Sequence, residues 1–336
     1  MITVTGATGL LGSHILYQLC QSGEKVRALH RKNSNLQGVK KVFSYYSTSV
    51  DALLEKIEWV EADLLDITDC EKAFAGTTKL YHCAAVVSFD ARDSGALEKN
   101  AQITANVVNT ALYLGVEKML YVSSVAALGR AKNKQHINEN TEWVNGEHNS
   151  KYARSKYRAE LEVWRGIQEG LNTVIINPTI ILGPGDWSKG SAGFFKTIAT
   201  GFKWYTTGVN GYTDVRDVSS VAIQLMQSDV CNERFVVVGE NLSYQQFFTL
   251  IADAMEVKAP YKKVSIPLAE LIWRLEKVRS FITGKRPLVT KETAHTARHE
   301  YYYDATKIKE RIGFEFTPIA ETVQDLARFY KEVSNK

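Results

Sequence analysis

Apolar positions follow two rhythms along this chain. In the first half, short continuous runs at residues 2–5, 25–30, 57–62, 79–85, 118–127 and 173–182 are rich in Val, Ile, Leu and Tyr. Continuous runs of this length, rather than alternating ones, fit strands buried on both faces of a parallel sheet. Between them, residues 10–21, 69–75, 96–114 and 150–169 show helical patterning. Strand and helix in repetition predict an α/β fold, a Rossmann-like doubly wound parallel sheet. One connection, residues 33–56, is long and polar, with only a short helical pattern over 50–57.

After residue 182 the rhythm changes. Gly183-Pro184-Gly185-Asp186 is turn chemistry. Helical patterns at 192–200, 217–226, 244–255, 268–282, 305–311 and 319–333 then outnumber the extended stretches. The expected organisation is a dinucleotide-binding domain over 1–185 and a smaller, mostly helical substrate-binding lobe over 186–336, some of whose elements return to the sheet. In that lobe Leu268, Leu271, Ile272, Leu275, Val278 and Phe281 form an apolar stripe, with Arg274, Lys277 and Arg279 on the other side. A membrane-surface or lid helix would show this pattern; packing on the lobe is the expected use.

Composition narrows the function classes. A chain of 336 residues, 45% hydrophobic and 23% charged, buries a core without staples. Its four cysteines, Cys20, Cys70, Cys83 and Cys231, are scattered with no CxxC. That argues against a disulfide framework or a cysteine-based zinc site and suits a reducing compartment. Net charge is +4, and no basic run exceeds His30-Arg31-Lys32, so no nucleic-acid footprint is expected. No apolar run approaches the ~18 residues of a membrane span. The chain opens directly into a strand, which is read as leaving no room for a signal peptide, so the cytoplasm is expected.

The candidate chemistry begins at Thr5-Gly6-Ala7-Thr8-Gly9-Leu10-Leu11-Gly12, between a strand and a helix. Glycines there permit a tight turn, close backbone approach to a pyrophosphate and close helix packing. The helix start adds free N–H groups and a positive dipole end. Gly6, Thr8, Gly9, Leu10, Leu11 and Gly12 are therefore candidate cofactor residues. An acidic residue at the end of the second strand would bond the ribose of NAD. Here the strand ends in His30, Arg31 and Lys32. Basic groups suit a 2′-phosphate, so NADP is expected, with NAD possible. Asp63 and Leu64 end the third strand, and Ala84 and Ala85 follow the fourth, where a ligand crosses an open sheet.

Tyr152 and Lys156 stand four residues apart in a helical segment, on one face. An ammonium group beside a phenol favours the phenolate and lowers its pKa. Ser123-Ser124 ends the fifth strand, where a hydroxyl can donate to a substrate oxygen. The three groups together supply an acid–base, its tuner and an oxyanion stabiliser. Other features are expected to be structural. His295 and His299 share zinc-ligand spacing but lack a third ligand, so no metal is expected. Phe89, Trp187, Phe194, Phe195, Trp204 and Tyr212 would suit an apolar or aromatic substrate and serve equally as core. Asp217 reads as a helix N-cap.

As a set these motifs resemble an extended short-chain dehydrogenase/reductase of the NAD-dependent epimerase/dehydratase superfamily. The likeness takes in the Gly-rich turn, Ala62-Asp63-Leu64, Tyr81-His82-Cys83-Ala84-Ala85, Asn100, Ser123-Ser124, Tyr152-x-x-x-Lys156, Asn177-Pro178-Thr179, Asp214-Val215-Arg216 and Tyr303-Asp304. Ser-Ser-Val-Ala-Ala-Leu-Gly and the basic end of strand two most resemble the branch of dihydroflavonol reductases, cinnamoyl-CoA reductases and 3β-hydroxysteroid dehydrogenases. The resemblance implies Ser124 as the catalytic serine, with Ser123 still open, and Tyr152 as the acid/base. It implies that Lys156 also bonds the nicotinamide ribose, that Pro178, Thr179 and Ile180 lie beside the nicotinamide, and that Asn100 supports the site. Leu128 stands where the family's sugar-nucleotide epimerases usually carry tyrosine.

The expected function is hydride transfer between NADP and a small carbonyl or alcohol substrate, by a monomer or a homodimer. Two rivals stand beside it: an epimerase or dehydratase that retains its cofactor, and a non-catalytic NADP-binding redox sensor.

Overall fold

The apolar runs of the first half become the middle of one sheet. The computed structural model describes residues 1–88, 90–129, 136–146, 149–284, 287 and 290–334, without the side chains of Ala91, Ile266 and His295. Its strands are β1 (Ile2–Thr5), β2 (Val26–His30), β3 (Ile57–Glu61), β4 (Lys79–His82), β5 (Lys118–Val122), β6 (Thr173–Pro178), β7 (Ile180–Leu182), β8 (Trp204–Tyr205), β9 (Val209–Asp214), β10 (Glu233–Val237), β11 (Glu240–Ser243) and β12 (Lys262–Lys263). The helices of the first part are α1 (Leu10–Gln21), α2 (Leu36–Ser44), α3 (Val50–Leu54), α4 (Ile67–Phe74), α5 (Ser94–Tyr113) and α6 (Lys151–Gln168). Those that follow are α7 (Gly193–Ala199), α8 (Val215–Gln227), α9 (Tyr244–Met255), α10 (Ile266–Thr283), α11 (Lys291–Thr296), α12 (Thr306–Ile312) and α13 (Ile319–Ser334).

The main sheet runs β10-β6-β5-β4-β1-β2-β3, every pair parallel. Both faces are covered. Ile15 and Leu16 of α1 and Val218, Val221 and Leu225 of α8 belong to one apolar layer; Phe74, Val107, Ala111, Ala159 and Val163 of α4, α5 and α6 belong to the other. This is a Rossmann-like fold. Strand order turns back at β1 and β4, which opens a crevice at their carboxyl ends. Register pairs Val4 with Tyr81 and Thr5 with His82, so the Gly6 turn and the segment after His82 leave the sheet side by side. A second sheet, β11-β9-β7, lies among the later elements.

Several boundaries differ from expectation, each for a local reason. The run 173–182 is two strands, because Thr179 N donates to Val237 O (3.1 Å) and β7 pairs with β9 instead of the main sheet. The run 118–127 ends as strand at Val122. The long polar connection contains α2, whose buried Val39, Val42 and Phe43 form a short stripe that Gly38 obscures in the sequence. β10 pairs with β6 in the main sheet.

The N-cap of α8 is Asp214, which accepts from Arg216 N (2.7 Å). Asp217 lies in the first turn and accepts from Thr317 N and Oγ1. Trp187, Phe195 and Tyr212 are core, joined with Phe247, Ile251 and Val323 and flanked by Phe194. Tyr212 stacks on Phe247 with ring centroids 4.2 Å apart. Phe89 lies outside the described residues, as does the side chain of His295; His299 stacks on Tyr301. The stripe on α10 divides: Leu268 and Ile272 are half-buried, whereas Leu271, Leu275, Val278 and Phe281 are exposed instead of packing on the lobe. Among the described residues no helix is long and apolar enough to cross a membrane.

Candidate active site

Gly6 has φ +65°, and a Cβ there would lie 2.6 Å from Ala84 N. Both its conformation and its contact therefore demand glycine. A Cβ on Gly12 would overlap Gly6 O, so the turn is pressed onto α1. Gly9 caps that helix in extended conformation with no side-chain hydrogen bond, and Gly9 N donates to Gly6 O (2.9 Å). Thr8 and Leu10 are half-buried, whereas Leu11 is buried. The turn thus brings the uncapped N-terminus of a helix to the carboxyl ends of β1 and β4, an arrangement suited to a pyrophosphate.

At the end of β2, His30 sets its ring edge against Trp59 and its Nδ1 at 3.1 Å from Arg31 O. Arg31 and Lys32 are exposed, and no ion pair engages either among the described residues. Asp63 is exposed and accepts from Leu65 N (3.0 Å); Leu64 O accepts from Asn106 (2.9 Å). Ala84 N donates to Thr5 Oγ1 (3.2 Å). Asn100 clamps the same segment, accepting from Val86 N (2.8 Å) and donating to Val86 O (3.0 Å). Ala85 is half-buried between these anchors. Pro178 and Thr179 are buried, and the Thr179 hydroxyl lies 2.8 Å from Thr213 Oγ1; Ile180 is half-buried.

The two serines after β5 do different things. Ser123 Oγ donates to Glu160 Oε2 (2.5 Å) in the interior. Ser124 Oγ accepts from Ala126 N (3.1 Å) and shares a hydrogen bond with Tyr152. Ser150 caps α6 by accepting from Ala153 N, so Tyr152 enters at the first turn. One turn on, Lys156 is buried and donates to Val122 O (2.8 Å) and Tyr121 OH (3.3 Å). Ser124, Tyr152 and Lys156 are thus gathered at the carboxyl end of β5, and Ser123 turns away from them.

The electrostatics depart from the simple tuned phenol. Burial pushes the Tyr152 phenol above its usual value, and the Ser124 hydroxyl pulls against that rise. Burial lowers the Lys156 ammonium to about 8, opposed by the charge of Glu160. Burial, with the Lys156 charge second, drops His82 to about 3. A neutral His82 bridges Thr5 Oγ1 (2.8 Å) and Thr104 Oγ1 (3.3 Å).

Sequence reasoning missed Glu160. It lies four residues beyond Lys156 on the same face of α6, and that spacing was the available signal. Its two oxygens accept from Ser123, Asn177 (2.8 Å), Trp164 (3.3 Å) and Arg234 (3.0 Å). Four donors satisfy a carboxylate that is otherwise out of water.

The family model for the NAD dependent epimerase/dehydratase family matches residues 2–238. The chain belongs to that family. Among its relatives, the putative dihydroflavonol 4-reductase of Synechocystis is 30% identical over 341 residues, spanning 98% of this chain and 94% of the relative. Cinnamoyl-CoA reductase 1 of Petunia hybrida is 23% identical over 99% of this chain and 92% of its own length. The crystal structure of gox2253 superimposes with TM-score 0.81 at 26% identity, covering 99% of this chain and 98% of that one. This member of the epimerase/dehydratase family is an NAD(P)-dependent oxidoreductase of the extended short-chain dehydrogenase/reductase type, in the branch of the dihydroflavonol and cinnamoyl-CoA reductases.

Proposed function

We propose that the protein is an NADP-dependent reductase or dehydrogenase that interconverts a small carbonyl compound and its alcohol. The gathering of Ser124, Tyr152 and Lys156 at the end of β5 carries this reading. The glycine contacts at Gly6 and Gly12 leave room for no side chain beside the helix start, which fits a bound dinucleotide. Arg31 and Lys32, which no carboxylate engages among the described residues, favour the 2′-phosphate form.

When bound, the dinucleotide supplies or accepts the hydride. The chain's residues handle the oxygen. Ser124 donates a hydrogen bond to the substrate oxygen, and Tyr152 delivers the proton that turns it into a hydroxyl. The resulting phenolate is costly in a buried site, and the Lys156 ammonium one turn away offsets that cost. In the other direction the phenolate takes the proton back. Lys156 holds this charge only while protonated, and burial has brought its pKa to about 8.

The test is net NADPH oxidation across a panel of ketones and aldehydes. Tyr152→Phe should lower kcat by at least about a hundredfold, the usual worth of a general acid, with NADPH affinity little changed. Near wild-type turnover by the variant would refute the acid/base role. Sugar-nucleotide interconversion without net NADPH consumption would instead identify an epimerase or dehydratase, and NADPH binding with no turnover a sensor.

A further inference from the structure

Helix α10 reverses the usual sorting of side chains. Leu271, Leu275, Val278 and Ile282 recur at helical spacing and form one line along its length, with Phe281 beside them. They are 52%, 59%, 55%, 75% and 90% exposed in that order. The side turned inward carries Ala269 and Ser280, which are buried, with Ile272, Trp273 and Glu276 half-buried beside them. A contiguous apolar row of this kind marks a contact surface rather than ordinary scatter.

Charge says what the surface contacts. Residues 257–291 hold nine basic and two acidic residues, a net of +7, whereas the whole chain nets +4. The remainder of the protein is therefore acidic, and the positive charge is concentrated in this stretch of sequence. On a helical wheel Lys277 falls next to Phe281, away from Leu271, Leu275, Val278 and Ile282; it is exposed, and no acidic partner engages it among the described residues. Lys262 and Lys263 are exposed on the strand that leads into α10, and Lys262 sits over the Trp204 ring. A second copy of the chain docked face to face would bring these positive segments together, which like-charge repulsion opposes. An apolar row with a basic side chain at one edge and two more on the strand that leads into it matches instead a helix lying in a membrane interface, where anionic head groups complement that charge.

We infer that α10 docks on an anionic lipid surface, with Leu271, Leu275, Val278, Phe281 and Ile282 entering the boundary of the acyl region. The docked face is tied to the catalytic side of the molecule. Arg92, just past the segment that follows β4, donates to Gly284 O (3.2 Å). Glu292 accepts from Lys151 N (3.1 Å), the residue before Tyr152.

The experiment is co-sedimentation of the full chain with vesicles, in the absence of any substrate, so its outcome does not depend on the proposed reaction. Binding is expected to vesicles of phosphatidylcholine mixed with phosphatidylglycerol, to be much weaker with phosphatidylcholine alone, and to decline with salt. Leu275→Glu combined with Ile282→Glu should cut the bound fraction at least about tenfold; Lys263→Glu with Lys277→Glu should weaken binding to the mixed vesicles alone. The inference is overturned if the wild type stays in the supernatant with both vesicle types, or if the Leu275/Ile282 variant still binds as the wild type does. It is equally overturned if light scattering shows a dimer that this variant dissolves and no vesicle binding occurs, since the face then belongs to a second copy.

Discussion

Behind β5, Lys156 and Glu160 are charged groups taken almost wholly out of water, while on α10 Phe281 and Ile282 are apolar groups left in it. Both regions break the rule that polar is outside and apolar inside, and they break it differently. Glu160 finds four donors within the chain, and Lys156 finds a carbonyl and a phenol. A buried charge supplied with partners is explained by the fold that supplies them. No described residue covers the exposed row on α10, and a surface outside the chain is proposed to do so. The polar region therefore bears on stability and on the proposed reaction, the apolar one on the proposed association.

The largest effect should come from breaking the buried web. Glu160→Ala removes the carboxylate partner of Arg234, which then keeps only Glu139 O among the described residues, takes one acceptor from Asn177 and leaves Ser123 Oγ without the carboxylate it donates to. Loss of one member of a buried pair should cost about 3 kcal/mol of unfolding free energy, read by urea denaturation. A value near zero would mean that these groups are compensated elsewhere and that the web is incidental.

Glu160→Gln sharpens the point, because it keeps most of the shape and removes the charge. Lys156 titrates at about 8, held up by Glu160 against burial. In the proposed reaction the ammonium is the form that offsets the phenolate, so activity should fall as pH rises through about 8. Without the Glu160 charge that fall should begin at lower pH. An alkaline limb that stays in place in the variant would show that Glu160 acts on structure alone.

Arg31 stands between the two extremes, an exposed charge that no carboxylate meets among the described residues. Replacing His30 with Asp and Arg31 with Ser should move the NADP to NAD preference by about tenfold or more toward NAD, the worth of one charge-assisted hydrogen bond. An unchanged ratio of kcat/KM for the two cofactors would reject the phosphate role for this strand end.

What the sequence disclosed follows the same division. The strands of the main sheet and the Gly6 turn were legible because burial on both faces and glycine geometry leave direct marks on residue type. Tyr152 and Lys156 were legible because their spacing is local. The partners of Ser123 were not: its hydroxyl meets a carboxylate 37 positions away, and only the packing of β5 against α6 decides that Ser123 points inward and Ser124 toward the phenol. Asp217 looked like a cap because its surroundings favour a helix start, and Asp214 took that place because β9 runs on to it. The fate of the α10 stripe was hidden for a further reason. Periodicity shows that a helix has an apolar side, and it does not show whether the chain has anything left to cover it.

The smallest predicted change tests that last idea most directly. If the α10 row has no structural partner, charging it should leave stability almost untouched. Leu275→Glu is expected to shift unfolding free energy by less than about 0.5 kcal/mol, as at an ordinary surface position, and to leave turnover of a water-soluble substrate unchanged. A core leucine lost in the same way would cost several times more. Loss of more than about 2 kcal/mol on urea denaturation would therefore mean that the row is packed in solution against some part of the chain, and the contrast between an internally satisfied web and an outward-facing helix would fail at its second half.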